Sequence, residues 1–185
     1  VFDPAINGLG TTNLIYTYTN LNGCLASDTS FVSVNSLPGI NLGAFAPICN
    51  SDTLLLNNAL PLGGFYSGVG VSNGAFIASN GSIGQNSITY TVNDTNGCSN
   101  SKSQLITVNA SPVLTPVTNA TVQFCENLPN DTLGLFQPYG GVYTGSAIAN
   151  NIFSPSNALV GNVNVTYTYS DANGCLSSVN TNVTV

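Results

Sequence analysis

"YTVNDTNGCSNSKSQLITV", Tyr90–Val108, sets two runs of alternating apolar and polar residues on either side of a phrase built from Asp94, Asn96, Gly97 and Cys98. Ile88, Tyr90 and Val92 alternate with Thr89 and Thr91, the period of a half-buried strand, and "LITV" (Leu105–Val108) reads as the strand that returns. Asn-Gly between two such runs is the strongest short-range hairpin signal, because both residues tolerate the positive φ of a type I′ turn. The stretch therefore predicts a β-hairpin with Asn96-Gly97 at its tip and Cys98 just past it.

The phrase recurs as "NLNGC" (Asn20–Cys24) and "DANGC" (Asp171–Cys175), each copy following a "YTY". Repeats at a fixed period decide architecture before any single motif does. Phe2, Phe76 and Phe153 align, as do Tyr16, Tyr90 and Tyr167, and Cys24, Cys98 and Cys175. "PLGGFYSG" (Pro61–Gly68) matches "PYGGVYTG" (Pro138–Gly145), and "CNSDTLLL" from Cys49 matches "CENLPNDTLGL" from Cys125 with a short insertion. The period is about 75 residues. It divides the chain into whole modules at 36–109 and 110–185, with 1–35 the C-terminal half of a preceding module. "NSLPG" and "NASPV" open the two modules, and the proline in each suits a short, stiff linker. No stretch holds a helical period, so the expected fold is all-β: tandem immunoglobulin-like β-sandwich modules of about 75 residues.

Composition excludes several function classes. Charged residues make up 4% of the chain, against roughly 25% in ordinary soluble domains. Lys102 is the only base, and the net charge is −6, so neither nucleic acid nor an anionic membrane finds the clustered Lys and Arg it needs. No apolar run approaches the roughly 20 residues of a membrane-spanning helix. The absence of Met reads as a processed product or a window on a longer chain, with any sorting segment outside it. Without His or Arg, and with a single unrepeated Lys, nothing can activate a Ser or Thr nucleophile, and no catalytic residues are assigned. The expected chain is not an enzyme and carries no cofactor.

Five cysteines remain to be placed. Cys49 with Cys98, and Cys125 with Cys175, stand at the same module positions with nearly equal separations. That predicts one disulfide inside each module, Cys49–Cys98 and Cys125–Cys175, with the partner of Cys24 upstream of Val1. Loss of the second bridge, as in Cys125→Ala, would then cost about 2–5 kcal/mol. Zinc lacks a CxxC pair and a His. The Asp-x-Asn-Gly stretches at Asp94 and Asp171 resemble the opening of a calcium loop but lack its downstream Glu, leaving calcium as the weaker alternative to a hairpin turn. "GVGVSNG" (Gly68–Gly74) lacks the Lys and spacing of a phosphate loop and reads as a strand connection.

Together, "GGxY[ST]G", the following Phe, "[IV]TYT[VY]-x-D-x-NGC" and a closing "xVTV" strand resemble the Ig-like repeats of Bacteroidetes cell-surface proteins. That resemblance covers the whole chain, apart from Asn20 in the first copy and the "ENLPNDTL" insertion. It implies a type IX-secreted, extracellular adhesin, stalk or filament of the kind found in gliding bacteria. Its partners would be neighbouring repeats of the same chain and, in a filament, identical chains. It also implies O-glycosylation at Asp-Thr-aliphatic motifs, marking Thr53 and Thr132, where the competing reading is a turn Asp followed by a strand Thr. Lys102 aligns with Asp28 and Val179, so a Lys–Asn isopeptide staple is not built into the repeat. Two other roles stay open: a glycan- or surface-binding face using the outward pairs Thr17/Thr19, Thr89/Thr91 and Thr166/Thr168, or a spacer on a secreted enzyme. The half-module 1–35 is expected to receive its missing strands from the same polypeptide upstream, or else from another subunit.

Overall fold

The computed structural model describes all 185 residues, Val1–Val185. Three long antiparallel hairpins organise it: Gly10–Thr19 with Leu25–Val34, Gly84–Asn93 with Ser99–Asn109, and Asn162–Ser170 with Leu176–Thr184. Helix is confined to single turns at Pro4–Asn7, Ala78–Asn80 and Pro155–Asn157. The chain is all-β, as its period-two pattern requires.

The middle hairpin is widened on both edges. Phe65–Ser67 pairs antiparallel with Thr89–Thr91, and Ile48–Cys49 pairs parallel with Val108–Asn109. A second, smaller sheet of Thr53–Leu55, Ala75–Ile77 and Val71–Ser72 supplies Phe76, which packs in one cluster with Ile88, Ile106 and Val108 of the first. The last hairpin repeats this plan. Val142–Gly145 joins its edge, Asp131–Thr132, Ile152–Phe153 and Ile148–Ala149 form the smaller sheet, and Gln123 bridges in parallel to Thr184. Phe153 packs there with Val163, Val165, Tyr167 and Val183. That cluster draws only on residues beyond 113, and the other two only on residues 40–108. Phe76 and Phe153, aligned in the repeat, are both fully buried; burying such a ring is worth about 1.5–3 kcal/mol.

Alternation along the strands comes out as expected. Tyr90 and Tyr167 are buried while Thr89, Thr91, Thr166 and Thr168 stay half-buried on the other face. On that outer face Thr89 Oγ1 meets Ser103 Oγ at 2.8 Å, and Thr166 Oγ1 donates to Asn180 Oδ1 at 2.7 Å, cross-strand pairs of the kind that hold a register.

The tips differ from the expected type I′ turn. Only the glycines Gly23, Gly97 and Gly174 adopt positive φ, near 80°, and the preceding asparagines do not. Asp94 N–H donates to Cys98 O and Gly97 N–H to Asp94 O, closing a three-residue loop of a type I turn plus a left-handed glycine. The cause is the first residue of the phrase. Asp94 Oδ1 accepts from both Asn96 N–H (2.9 Å) and Cys98 N–H (2.8 Å), and Asn20 and Asp171 do the same for their loops. An Asx side chain that folds back on the backbone two residues on selects this turn.

Near the same end of the buried strand, beside Thr91 and Thr168, each complete repeat holds its tyrosine in a Gly-Gly loop. Tyr90 O–H donates to Pro61 O (2.6 Å) and accepts from Gly64 N–H (2.8 Å); Tyr167 O–H does likewise with Pro138 and Gly141. Leu60–Pro61 and Gln137–Pro138 are cis. A Cβ on Gly64 or Gly141 would overlap the tyrosine ring it faces, which explains the second glycine of each "GG". Tyr66 and Tyr143 pack beside these rings, at centroid distances of 4.8 and 4.5 Å.

Tyr167→Phe is expected to lower unfolding free energy by about 1–3 kcal/mol, because Gly141 N–H and Pro138 O lose their buried partner. Gly141→Ala should cost more, and Tyr16→Phe, at a fully aligned but exposed position, nothing measurable by urea titration. Burial also pushes the Tyr66 and Tyr143 hydroxyls above the usual tyrosine range. A raised folded value gives stability that is complete below the unfolded tyrosine pKa of about 10 and is lost as pH rises through the folded value. The urea midpoint should accordingly be flat approaching pH ~10 and fall above it.

Candidate functional site: the cysteine poles of the repeats

The cysteines do not pair as their spacing suggested. Cys49 is bonded to Cys175, across 126 residues and between the two whole repeats, with Cα atoms 5.5 Å apart; Cys24, Cys98 and Cys125 are free. The expected Cys49–Cys98 and Cys125–Cys175 bridges are therefore corrected, and hairpin length is the reason. Cys98 sits at the turn of its hairpin, whereas Cys49 lies beside Asn109 at the opposite end. Ten residue pairs separate them by about 30 Å at a strand's rise per residue, and a disulfide tolerates Cα separations of no more than about 7 Å. The equal spacings reported the repeat, not proximity.

The junction is built from short polar contacts. Asn50 N–H donates to Asn109 O, while Asn50 Oδ1 accepts from Ser111 N–H (3.2 Å) and Ser111 Oγ (2.5 Å). The linker that starts the next repeat is thus clamped to the residue following Cys49. Cys49 N–H donates to Asp52 Oδ2 (3.0 Å), and Cys175 N–H to Asp171 Oδ1 (2.9 Å). Cys175 is wholly buried in this contact. The Asn50–Ser111 clamp had no counterpart in the sequence reading; the only trace of it was the "NASP" opening of the linker.

Other positions singled out in the sequence fall elsewhere. Asp94 and Asp171 each commit Oδ1 to their own turn, and no group of three or more His, Cys, Asp or Glu gathers anywhere. Thr53 and Thr132 are both exposed on short strands, each after an exposed Asp. Shallow clefts flank the two tyrosine loops, one against Phe136, Gly141, Tyr143 and Tyr167, its counterpart against Leu56, Gly64, Tyr66 and Tyr90. Neither contains a carboxylate, amine or thiol. The first hairpin stands open on both faces, with Ile15, Tyr16, Tyr18 and Phe31 exposed. No helix is long and apolar enough to cross a membrane.

No family model matches the chain, and no curated protein does. Among solved structures, the chain resembles the Ca2+-stabilised adhesin that helps an Antarctic bacterium reach out and bind ice, at 12% identity and TM-score 0.39, covering 95% of this chain and 56% of that one. An endo-fucoidan hydrolase of glycoside hydrolase family 107 overlaps at 12% identity and TM-score 0.24, over 97% of this chain and 34% of that chain. The chain thus spans about half of the adhesin structure and a third of the hydrolase.

Alkylation of the folded, oxidised chain should modify three cysteines, Cys24, Cys98 and Cys125, with Cys49 and Cys175 reacting only after reduction. Cys125→Ala should leave the unfolding midpoint within the scatter of a neutral surface change, about 0.5 kcal/mol.

Proposed function

We propose that the chain is a structural segment of an extracellular bacterial surface adhesin, stalk or filament, non-catalytic and assembled from tandem Ig-like modules at 36–109 and 110–185, with 1–35 the second half of another. The observation that carries this reading is the Cys49–Cys175 bond. It fastens the C-terminal pole of one repeat to the turn of the next, an arrangement whose consequence is end-to-end rigidity. Disulfides persist in oxidising, extracellular settings, and a surface with 4% charged residues lets neighbouring chains lie side by side with little repulsion. The Bacteroidetes, type IX-secreted and gliding-adhesin assignment, and O-glycosylation of Thr53 and Thr132, rest on the sequence resemblance alone.

Small-angle X-ray scattering of the oxidised chain tests the stalk. A compact globule of this length has a radius of gyration of about 16 Å. The in-line arrangement predicts a value well above that and little changed between low and high salt. A compact particle, or hydrolysis of a polysaccharide by the isolated chain, would refute the proposal.

A further inference from the structure

The five cysteines fall into two structural classes. Cys49 and Cys125 each follow a residue that docks in parallel on the last strand of its repeat: Ile48 beside Val108, and Phe124 through its N–H to Thr184 O. Each also opens a tight turn, its carbonyl accepting from Asp52 N–H or Leu128 N–H. Cys24, Cys98 and Cys175 instead close the hairpin tips, each N–H held by the Asx side chain four residues earlier at 2.8–2.9 Å. The one bond present joins a member of the first class to the tip cysteine of the following repeat.

We propose that this pairing is the rule of the repeat, so that Cys125 is a preformed half-site for the tip cysteine of a repeat that follows. By the same rule Cys98 and Cys24 are half-sites for the pole cysteine of a repeat that precedes each. The assignment rests on the tandem-module reading above and adds a covalent ladder to it. It accounts for which cysteines are free: the three without a bond are those whose partners, shifted by one repeat, have no counterpart among residues 1–185. Pairing within a repeat would have left only Cys24. Half-burial of Cys98 and exposure of Cys125 keep both reachable. Glu126 holds the position of Asn50 in the repeat and brings a carboxylate acceptor, as Asn50 Oδ1 is for Ser111. Bond formation is a two-electron oxidation: the two thiols give up two protons and two electrons to a small-molecule disulfide, which is released as two thiols.

The test is a chain in which residues 110–185 follow Val185 a second time, folded with glutathione disulfide and mapped unreduced by proteolysis and mass spectrometry. The expected links are Cys49–Cys175 and Cys125 to the tip cysteine of the added repeat. Three thiols would then remain in the extended chain, as in the original one. Cys125→Ser in the extended chain should abolish the second link only. A free Cys125 in the extended chain, or a Cys125–Cys175 or Cys49–Cys98 link, overturns the proposal. In the unextended chain, concentration-dependent multimers linked from Cys125 to Cys24 or Cys98 would show that a second copy can also fill the half-site. If the link fails while scattering still shows an elongated particle, the stalk reading survives without the ladder.

Discussion

Each repeat is as long as its hairpin, and that length constrains everything else. Ten cross-strand pairs put the turn and the last residue at opposite poles, about 30 Å apart. The start of the module is held at the turn pole, where Asn100 Nδ2 donates to Pro38 O, while Cys49 and the outgoing linker share the other pole. Entry and exit of the chain therefore lie at opposite ends of the middle repeat. A cysteine at each pole can then reach the neighbour and never its own module. Of the two cysteines that would have closed a loop of about 50 residues within the middle repeat, Cys49 is bonded to the next repeat instead and Cys98 is free. The benefit changes accordingly. In the chain-entropy model a loop of 126 residues is worth about 5 kcal/mol, but that term opposes joint unfolding of both repeats rather than holding either one together.

Each complete repeat has buried clusters of its own, and the tyrosine loop shows how a chain with almost no charge builds them. Tyr90 and Tyr167 bury large rings, yet each hydroxyl both donates and accepts, so no polar cost is left unmet. Asn86, the one buried polar residue, is likewise satisfied: its amide nitrogen donates to Ser82 O and Gly84 O, and its oxygen accepts from Ser82 N–H. No buried side-chain polar atom lacks a partner. In these buried contacts amides and hydroxyls stand in place of ion pairs, and interactions between neutral groups are indifferent to ionic strength.

Much of this was legible before the structure. Alternation of Ile88, Tyr90 and Val92 with threonines fixed which face is buried, because strand side chains alternate strictly. The repeat located the tyrosines, the phenylalanines and the Gly-Gly loops at equivalent places. Two things were not legible. The turn type depended on Asp94 accepting from two backbone N–H groups, which a dipeptide signal centred on Asn96-Gly97 leaves out. The disulfide depended on where the poles lie in three dimensions. In a periodic sequence, a spacing within one repeat and a spacing shifted by one repeat look alike, so only the direction of the parallel strand Ile48–Cys49 against Val108–Asn109 distinguishes them.

The first hairpin separates what a local sequence specifies from what a fold requires. Gly10–Thr19 and Leu25–Val34 reproduce the ten-pair register of the middle hairpin and the Asx-closed turn of both complete repeats. Thr11 and Ser33 even make the same kind of outer-face contact, at 2.9 Å. Yet Tyr16 is 70% exposed where its aligned partners Tyr90 and Tyr167 are 2% and 1% exposed. Pairing, turn and alternation arise from the 35 residues themselves; burial does not. What Tyr16 lacks is the Pro-x-Gly-Gly loop for its hydroxyl and a sheet carrying the equivalent of Phe76 for its ring. Two strands alone are marginal in water, so the stability of the complete repeats resides in the opposing sheet and loop that cover the hairpin.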